Sequence, residues 1–372
     1  MRIGFDARLV NETGVGRYIK NLLINLAKIN KHDEFLVFTG SRELKYLPNL
    51  PSSFIKIALD VRWHSLTEQL WLPFILGKYK LDLVHFPYFS LPVFYQGRFV
   101  VTVHDLIIDH ETTGRASRWP YPVYMLKKSA YRMLMRRALS KAEHVFAISE
   151  ATAGEIKAHY AEARDKVSVT YDALDENFLK TLNNAENTSV YLPRGKPYLI
   201  YVGNAYPHKN LEKLVLLFPQ IEREHQVRLI LVGNDDFFYP RLKRLAKDAG
   251  AGKSVIFFGK ADDAELAALY RQAEGFISPA LMEGFGLPLL EAVAAGCLPV
   301  VSDIPAFREI WGDALIYFDP NESKSIRKAI AFFLTLSRKE KNTRLSGAKE
   351  RSRRFSWEKT ARDTDWQYQR FK

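Results

Sequence analysis

Cysteine is almost missing from this sequence: Cys297 is its one representative in 372 residues. Internal disulfides and cysteine-based metal clusters are thereby excluded, and a reducing compartment fits. Set between Gly296 and LPVVSD, Cys297 is expected to be a small buried thiol. No apolar run reaches the ~18 residues needed to cross a bilayer. The start, MRIGFDARLV, turns polar too early for a signal peptide and reads as a buried strand. Zinc-finger spacings and RNP-type aromatic motifs are absent, so nucleic acid is the weaker explanation of the formal charge of +12. An anionic membrane surface or polyanionic substrates are the alternatives. Acidic residues are lacking from Arg115 to Lys141, which carries eight Lys or Arg. In the second basic region, Lys324 to Arg354, only Glu340 and Glu350 are counter-charges.

What is present is a folded composition, 47% hydrophobic and 13% aromatic, in a chain long enough for two domains. RIGFDA leads into a helix with Ile19, Leu22, Leu23 and Leu26 on its apolar face. EFLVF, FIKIAL, LDLVHF, RFVVTVHDL, HVFAIS and KVSVTY then alternate with helical segments. Because these strands are continuously apolar rather than alternating, they predict a parallel sheet covered on both faces. A polar passage over 176–196 reads as an interdomain connection. The alternation resumes with YLIYVG, VRLILVG, SVIFFG, GFISPA, LPVVSD and ALIYF, three of which end in Gly203, Gly233 and Gly259. Two doubly wound α/β halves are predicted, 1–175 and 197–354, with ligands bound at the carboxyl ends of their strands. The tail 355–372, with Trp357, Ala361, Trp366 and Phe371, is expected to be a helix docked on the first half.

The stretch MEGFGLPLLEA carries the chemistry. Eight residues of continuous helix rise ~12 Å, so Glu283 and Glu291 cannot serve one small reacting centre. Gly284 and Gly286 place the helix start near Gly286, leaving Glu283 in the loop and Glu291 within the helix. Unpaired amides at that start suit a diphosphate; an ordinary cap with an exposed glutamate is the alternative. Gly14-Val15-Gly16, between the first strand and its helix, reads as a phosphate-approach loop or a plain turn. It is not a dinucleotide fingerprint, because Ile19 stands where the third glycine belongs, which argues against a nicotinamide dehydrogenase. Asp235-Asp236, Asp262-Asp263 and Asp363-Thr364-Asp365 read as solvated caps rather than metal ligands.

EGFGLPLLEA followed by AAGCLPVVSDIPAFREIWGDA resembles the glutamate-x7-glutamate signature of retaining, nucleotide-sugar-dependent glycosyltransferases of the glycogen-synthase-like superfamily (glycosyl transferases group 1). GVGRY, VHDL, AISEATAGEI and YVGNAYPHKNLE extend the likeness over nearly the whole chain. The resemblance implies a GT-B fold, two Rossmann-like domains facing a central cleft. It implies transfer of a hexosyl group, with retention and without metal or other cofactor, from GDP-mannose or a UDP-hexose to a glycan or glycolipid. Bacterial surface polysaccharide or lipopolysaccharide synthesis would be the setting.

By the same resemblance the catalytic residues are Lys209, which neutralises the diphosphate, Glu283, which meets donor-sugar hydroxyls, and His104, which meets the transferred sugar. Donor contacts fall to Gly14, Val15, Gly16, Gly203, Asn204, His208, Gly284, Phe285, Gly286, Leu287 and Glu291, the last to the ribose. Arg17 and Asp105 lie on the acceptor side, Asp105 mainly fixing its loop. The sequence departs from the family at Asn204, where many members carry an arginine; His208 either compensates when protonated or is a surface residue. That departure favours one other reading, a sugar-nucleotide-binding subunit without turnover.

The basic helix is read with Leu126, Ala130, Leu134 and Ala138 packed inward and Lys128, Arg132 and Arg136 outward, after Arg115, Arg118 and Trp119 in the preceding loop. It is either a solvated face or a footprint on an anionic membrane surface through Arg115–Lys141. The expected location is cytoplasmic, or peripheral on the inner face of the cell membrane.

Overall fold

A computed structural model describes residues 1–110, 120–184, 196–235 and 237–372. Arg115, Arg118, Trp119, Asp236 and positions 185–195 of the expected connection lie outside the described residues. The chain divides into two compact units, Met1–Ala173 with Phe355–Lys372, and Leu174–Arg354.

In the first unit the strands are β1 (Arg2–Asp6), β2 (Glu34–Thr39), β3 (Phe54–Ala58), β4 (Leu83–Phe86), β5 (Phe99–Val103), β6 (His144–Ala147) and β7 (Val167–Val169). They form one parallel sheet in the order β3-β2-β1-β4-β5-β6-β7. Every residue of β4, β5 and β6 is buried, as helices on both faces of a parallel sheet require. The strand order reverses between β1 and β4, the switch point at which such sheets take ligands. The helix Gly14–Ile29 starts there. A Cβ on Gly16 would stand 2.6 Å from the Val10 carbonyl oxygen, whereas the Cβ position of Gly14 is open. Gly16 is therefore dictated by the packing of the helix against its own loop.

The helix Trp357–Gln369 belongs to this unit and packs on the helix Gly14–Ile29. The Ser356 hydroxyl caps it by accepting from the Lys359 amide. Its buried residues include Trp357, Ala361, Thr364 and Tyr368. The Tyr368 hydroxyl bonds to His85 Nδ1, His85 Nε2 to Thr102 Oγ1 at 2.8 Å, and Thr102 Oγ1 to the Tyr18 hydroxyl at 3.0 Å. Burial pulls His85 down to about 3, so the ring bridges these hydroxyls as a neutral group. Trp366, expected to face inward, is 61% exposed with Arg370 over its ring. A helical stripe through Trp357 and Ala361 continues to Thr364 and Tyr368, not to position 366.

The face of the helix Tyr121–Lys141 also differs from expectation. Tyr124, Lys128, Met135, Ala138 and Leu139 are its buried residues, whereas Leu126 is 73% and Met133 66% exposed. Arg132 reaches Asp109, and Arg136 pairs with Glu162. Ala138 is buried and Arg132 and Arg136 are exposed as expected, but Lys128 sits on the packed side and Leu126 with Ala130 outside, opposite to the places read for those three from the sequence. Among the described residues, no helix is long and apolar enough to cross a membrane.

The second unit holds β8 (Tyr198–Val202), β9 (Arg228–Val232), β10 (Val255–Gly259), β11 (Gly275–Ser278), β12 (Pro299–Ser302) and β13 (Ile316–Phe318). They form a parallel sheet ordered β10-β9-β8-β11-β12-β13, with its switch point between β8 and β11. The segment read as a plain connection opens with a helix, Glu176–Asn184, whose Phe178 and Leu182 are buried. Phe178 meets the Tyr270 ring edge-on, and Arg271 donates to the Leu182 carbonyl. Its Asn-rich composition concealed an amphipathic helix of the second unit. Cys297 is buried, and burial pushes its thiol far up, leaving it an inert core residue.

Candidate functional site

In the second unit two loops meet at the carboxyl ends of β8 and β11. The first runs from Gly203 through Asn204 to a 3-10 turn over Pro207–Lys209, and Asn210, with φ +57°, turns it into the helix Leu211–His225. The second follows β11 and ends at Gly286, with φ +92°, before the helix Leu287–Ala295. A Cβ on Gly286 would also lie 2.9 Å from the Phe307 ring, so both backbone and packing demand glycine there. Neither helix has a side-chain cap. Their first-turn amides therefore lack the usual local acceptor.

The Leu281 amide donates to the His208 carbonyl at 2.8 Å and so sets one loop against the other. Across this junction Lys209 Nζ and Glu283 Oε1 form an ion pair between residues 74 apart in the chain. Their side chains are only 14% and 18% exposed. Each neutralises the other in a setting where an unpaired charge is costly. A diphosphate arriving at Lys209 must compete with Glu283, and a polyhydroxyl ligand can take over the released carboxylate. This pairing was not read from the sequence, where the two residues were assigned separate contacts.

Glu291 lies in the helix after Gly286 and is 4% exposed; Tyr270 donates to its Oε2 at 3.2 Å and to the Pro288 carbonyl at 3.3 Å. Phe285 and Gly284 are buried, and Leu287 is half-buried. Gly203 accepts from the Tyr239 hydroxyl at 2.9 Å through its carbonyl. Burial and the Lys209 ammonium pull His208 down to about 3. Its ring is therefore neutral near pH 7 while Lys209 is the nearest charge, and a protonated His208 would need the added negative charge of a bound diphosphate. Asn204 itself has a buried Oδ1 with no hydrogen-bond partner. Such an orphan acceptor is destabilising beside an anion, but rotation of the amide presents two N–H donors instead.

In the first unit, Gly14, Val15 and Gly16 form the first turn of a helix that also lacks a side-chain cap. The Arg17 carbonyl accepts from Asn21 Nδ2 at 2.9 Å. His104 follows β5, is 8% exposed, and donates from Nε2 to the Pro87 carbonyl at 2.9 Å. That bond fixes the tautomer, and burial pulls the ring down to about 4, so it is neutral. Asp105 accepts from the Ile107 amide at 3.0 Å, a loop-fixing bond. Of the aspartates weighed as metal ligands, Asp235 pairs with Lys243, Asp262 caps the helix Asp263–Gln272, and Asp365 accepts from Asn30.

Two doubly wound parallel units in one chain make the GT-B glycosyltransferase fold. The chain belongs to the glycosyl transferases group 1 family: residues 184–351 match its model, and residues 13–178 match that of Glycosyltransferase Family 4. It is 26% identical over 377 residues to O-antigen chain mannosyltransferase B of Escherichia coli, across 95% of this chain and 94% of that protein. It is also 26% identical over 230 residues to O-antigen chain mannosyltransferase RfbU of Salmonella typhimurium, across 62% of this chain but only 59% of that relative's length. Among solved structures, sucrose-phosphate synthase from Thermosynechococcus elongatus shares the fold with a TM-score of 0.77 at 19% identity, covering 100% of this chain and 98% of that one.

Proposed function

We propose that this protein transfers a mannosyl group, with retention, from a nucleotide diphosphate mannose such as GDP-mannose to a glycan or lipid-linked saccharide in O-antigen or lipopolysaccharide synthesis. The observation that carries this reading is the Lys209–Glu283 pair at the β8–β11 switch point, beside a helix start with no side-chain cap. Breaking the bond from sugar C1 to the phosphate oxygen leaves an oxocarbenium-like sugar and a growing diphosphate charge. Preorganised donors aimed at that charge are commonly the largest catalytic contribution. In this reading the Lys209 ammonium and the amides of Gly284–Leu287 receive the charge, and Glu283, released from Lys209, holds donor hydroxyls. Glu291 meets the ribose. The acceptor oxygen bonds to C1 from the face the phosphate leaves, and its proton passes to the departing phosphate oxygen. No step is assigned to a metal. The names of the two mannosyltransferase relatives support the choice of sugar and setting.

A thermal-shift panel of nucleoside diphosphates and nucleotide sugars tests the donor, with GDP and GDP-mannose expected to stabilise the protein most. Donor consumption with acceptor-bearing membranes separates an enzyme from the alternative suggested by Asn204, a binding subunit without turnover. Stabilisation by GDP-mannose with no hydrolysis or transfer would favour the latter.

The acceptor side of the proposal includes an anionic membrane surface. Exposed Leu126 and Met133 share the helix Tyr121–Lys141 with exposed Lys127 and Arg137, and that helix has no acidic residue. Apolar groups among cations suit the headgroup region of such a bilayer. Sedimentation with vesicles is expected to rise with phosphatidylglycerol content and fall with salt. Indifference to both would remove this part of the proposal.

A further inference from the structure

We propose that Trp63, His64, Tyr88 and Phe89 form an aromatic shelf that binds the saccharide part of the acceptor, a role that rests on the glycosyltransferase reading above. These residues follow β3 and β4 at the carboxyl ends of the first sheet, the end from which His104 follows β5. Their rings form a connected row. Trp63 and His64 are 5.0 Å apart between centroids, His64 and Phe89 5.4 Å, Phe89 and Tyr88 4.0 Å, and Tyr88 and His104 6.1 Å. The row thus runs from a surface tryptophan, 40% exposed, to the buried histidine.

The loop that starts the row is strained, and buried charge as well as apolar packing holds it. His64 has φ +53°, a left-handed conformation unfavourable for a residue with a Cβ. Its amide donates to Glu68 Oε2 at 3.0 Å and Ser90 Oγ at 3.3 Å. Glu68, buried, also accepts from Ser90 Oγ at 2.6 Å and from Arg8 at 2.7 Å. A loop kept in a costly conformation by a buried ion network, while exposing a tryptophan and a histidine, is shaped for contact with something outside itself. The C–H face of a pyranose ring matches it: the face is weakly apolar and its hydrogens meet the negative face of an aromatic ring. Hydroxyls at the sugar's edge remain free for polar groups. Specificity would come from the spacing of the rings, which favours an acceptor of more than one sugar.

Saturation-transfer NMR and tryptophan-fluorescence titration with mannotriose test the shelf on the full-length chain. The variants are Trp63→Ala, Trp63→Phe and Tyr88→Leu, with GDP thermal shift as the reference. Mannotriose is expected to bind the unaltered protein with contacts to aromatic protons. Its Kd should rise about tenfold in Trp63→Ala and largely recover in Trp63→Phe, with the GDP shift unchanged throughout. No mannotriose binding, or equal binding by Trp63→Ala and Tyr88→Leu, would overturn the shelf while leaving the donor reading intact. Loss of vesicle binding in Trp63→Ala with saccharide binding retained would assign these rings to lipid instead, and also overturn it. Absence of any GDP shift in the unaltered protein would count against the donor reading and not against the shelf.

Discussion

Lys209→Ala is expected to lower transfer by about 10²–10³-fold, the size of effect seen when one preorganised donor to a developing charge is removed. Glu283→Ala should be comparably damaging to transfer, yet the two variants should part company in nucleotide binding. Lys209→Ala removes the cation and leaves Glu283 as a half-buried carboxylate with its partner gone, so GDP affinity should fall. Glu283→Ala removes the competitor and leaves Lys209 fully available, so GDP affinity should hold or rise. Steady-state kinetics with GDP-mannose, together with GDP titration calorimetry and a circular-dichroism check of folding, read out all of this. Full activity in either variant, or a parallel loss of GDP affinity in both, would contradict the assignment of the pair.

The other large effect belongs to stability. Arg8 lies between Asp6 and Glu68, donating to them at 2.6 and 2.7 Å, with side-chain exposures of 4%, 11% and 1%. The two carboxylates hold the guanidinium charged despite burial. Arg8→Met keeps much of the volume but abandons two buried carboxylates, and a loss of about 3–5 kcal/mol of unfolding free energy is expected. Urea denaturation of the whole chain measures it. A change below about 1 kcal/mol would mean that the carboxylates find water or each other without cost. His64 gives a second readout, because its amide depends on Glu68.

The strand-helix alternation was legible because strands buried on both faces are written as continuous apolar runs, such as FVVTV and PVVS. The helix start at Leu287 was legible for a local reason too, since Gly286 adopts a conformation that glycine alone takes readily. What escaped was non-local. Nothing near Lys209 in the chain points to Glu283; the two meet because β8 and β11 are neighbours in the folded sheet and the loops after them touch, as the Leu281–His208 main-chain bond shows. The aromatic row draws on two strand ends separated by an entire helix, so no window of sequence displays it. The helix Tyr121–Lys141 misled because Lys128 is buried on the face where an aliphatic residue was expected. Trp366 is exposed despite its size because the buried helical phase that starts at Trp357 belongs to Tyr368. His208 was visible, but its charge state depends on burial that composition does not report.

The return of Phe355–Lys372 to the first unit sets an order of assembly on the ribosome. Residues 1–173 emerge early, yet the tyrosine that completes their internal hydrogen-bonded chain through His85 is residue 368. The whole of the second unit is synthesised before that tyrosine is available. During translation the early unit therefore lacks its last helix, and His85 one of its hydrogen-bond partners, until the C-terminal residues emerge.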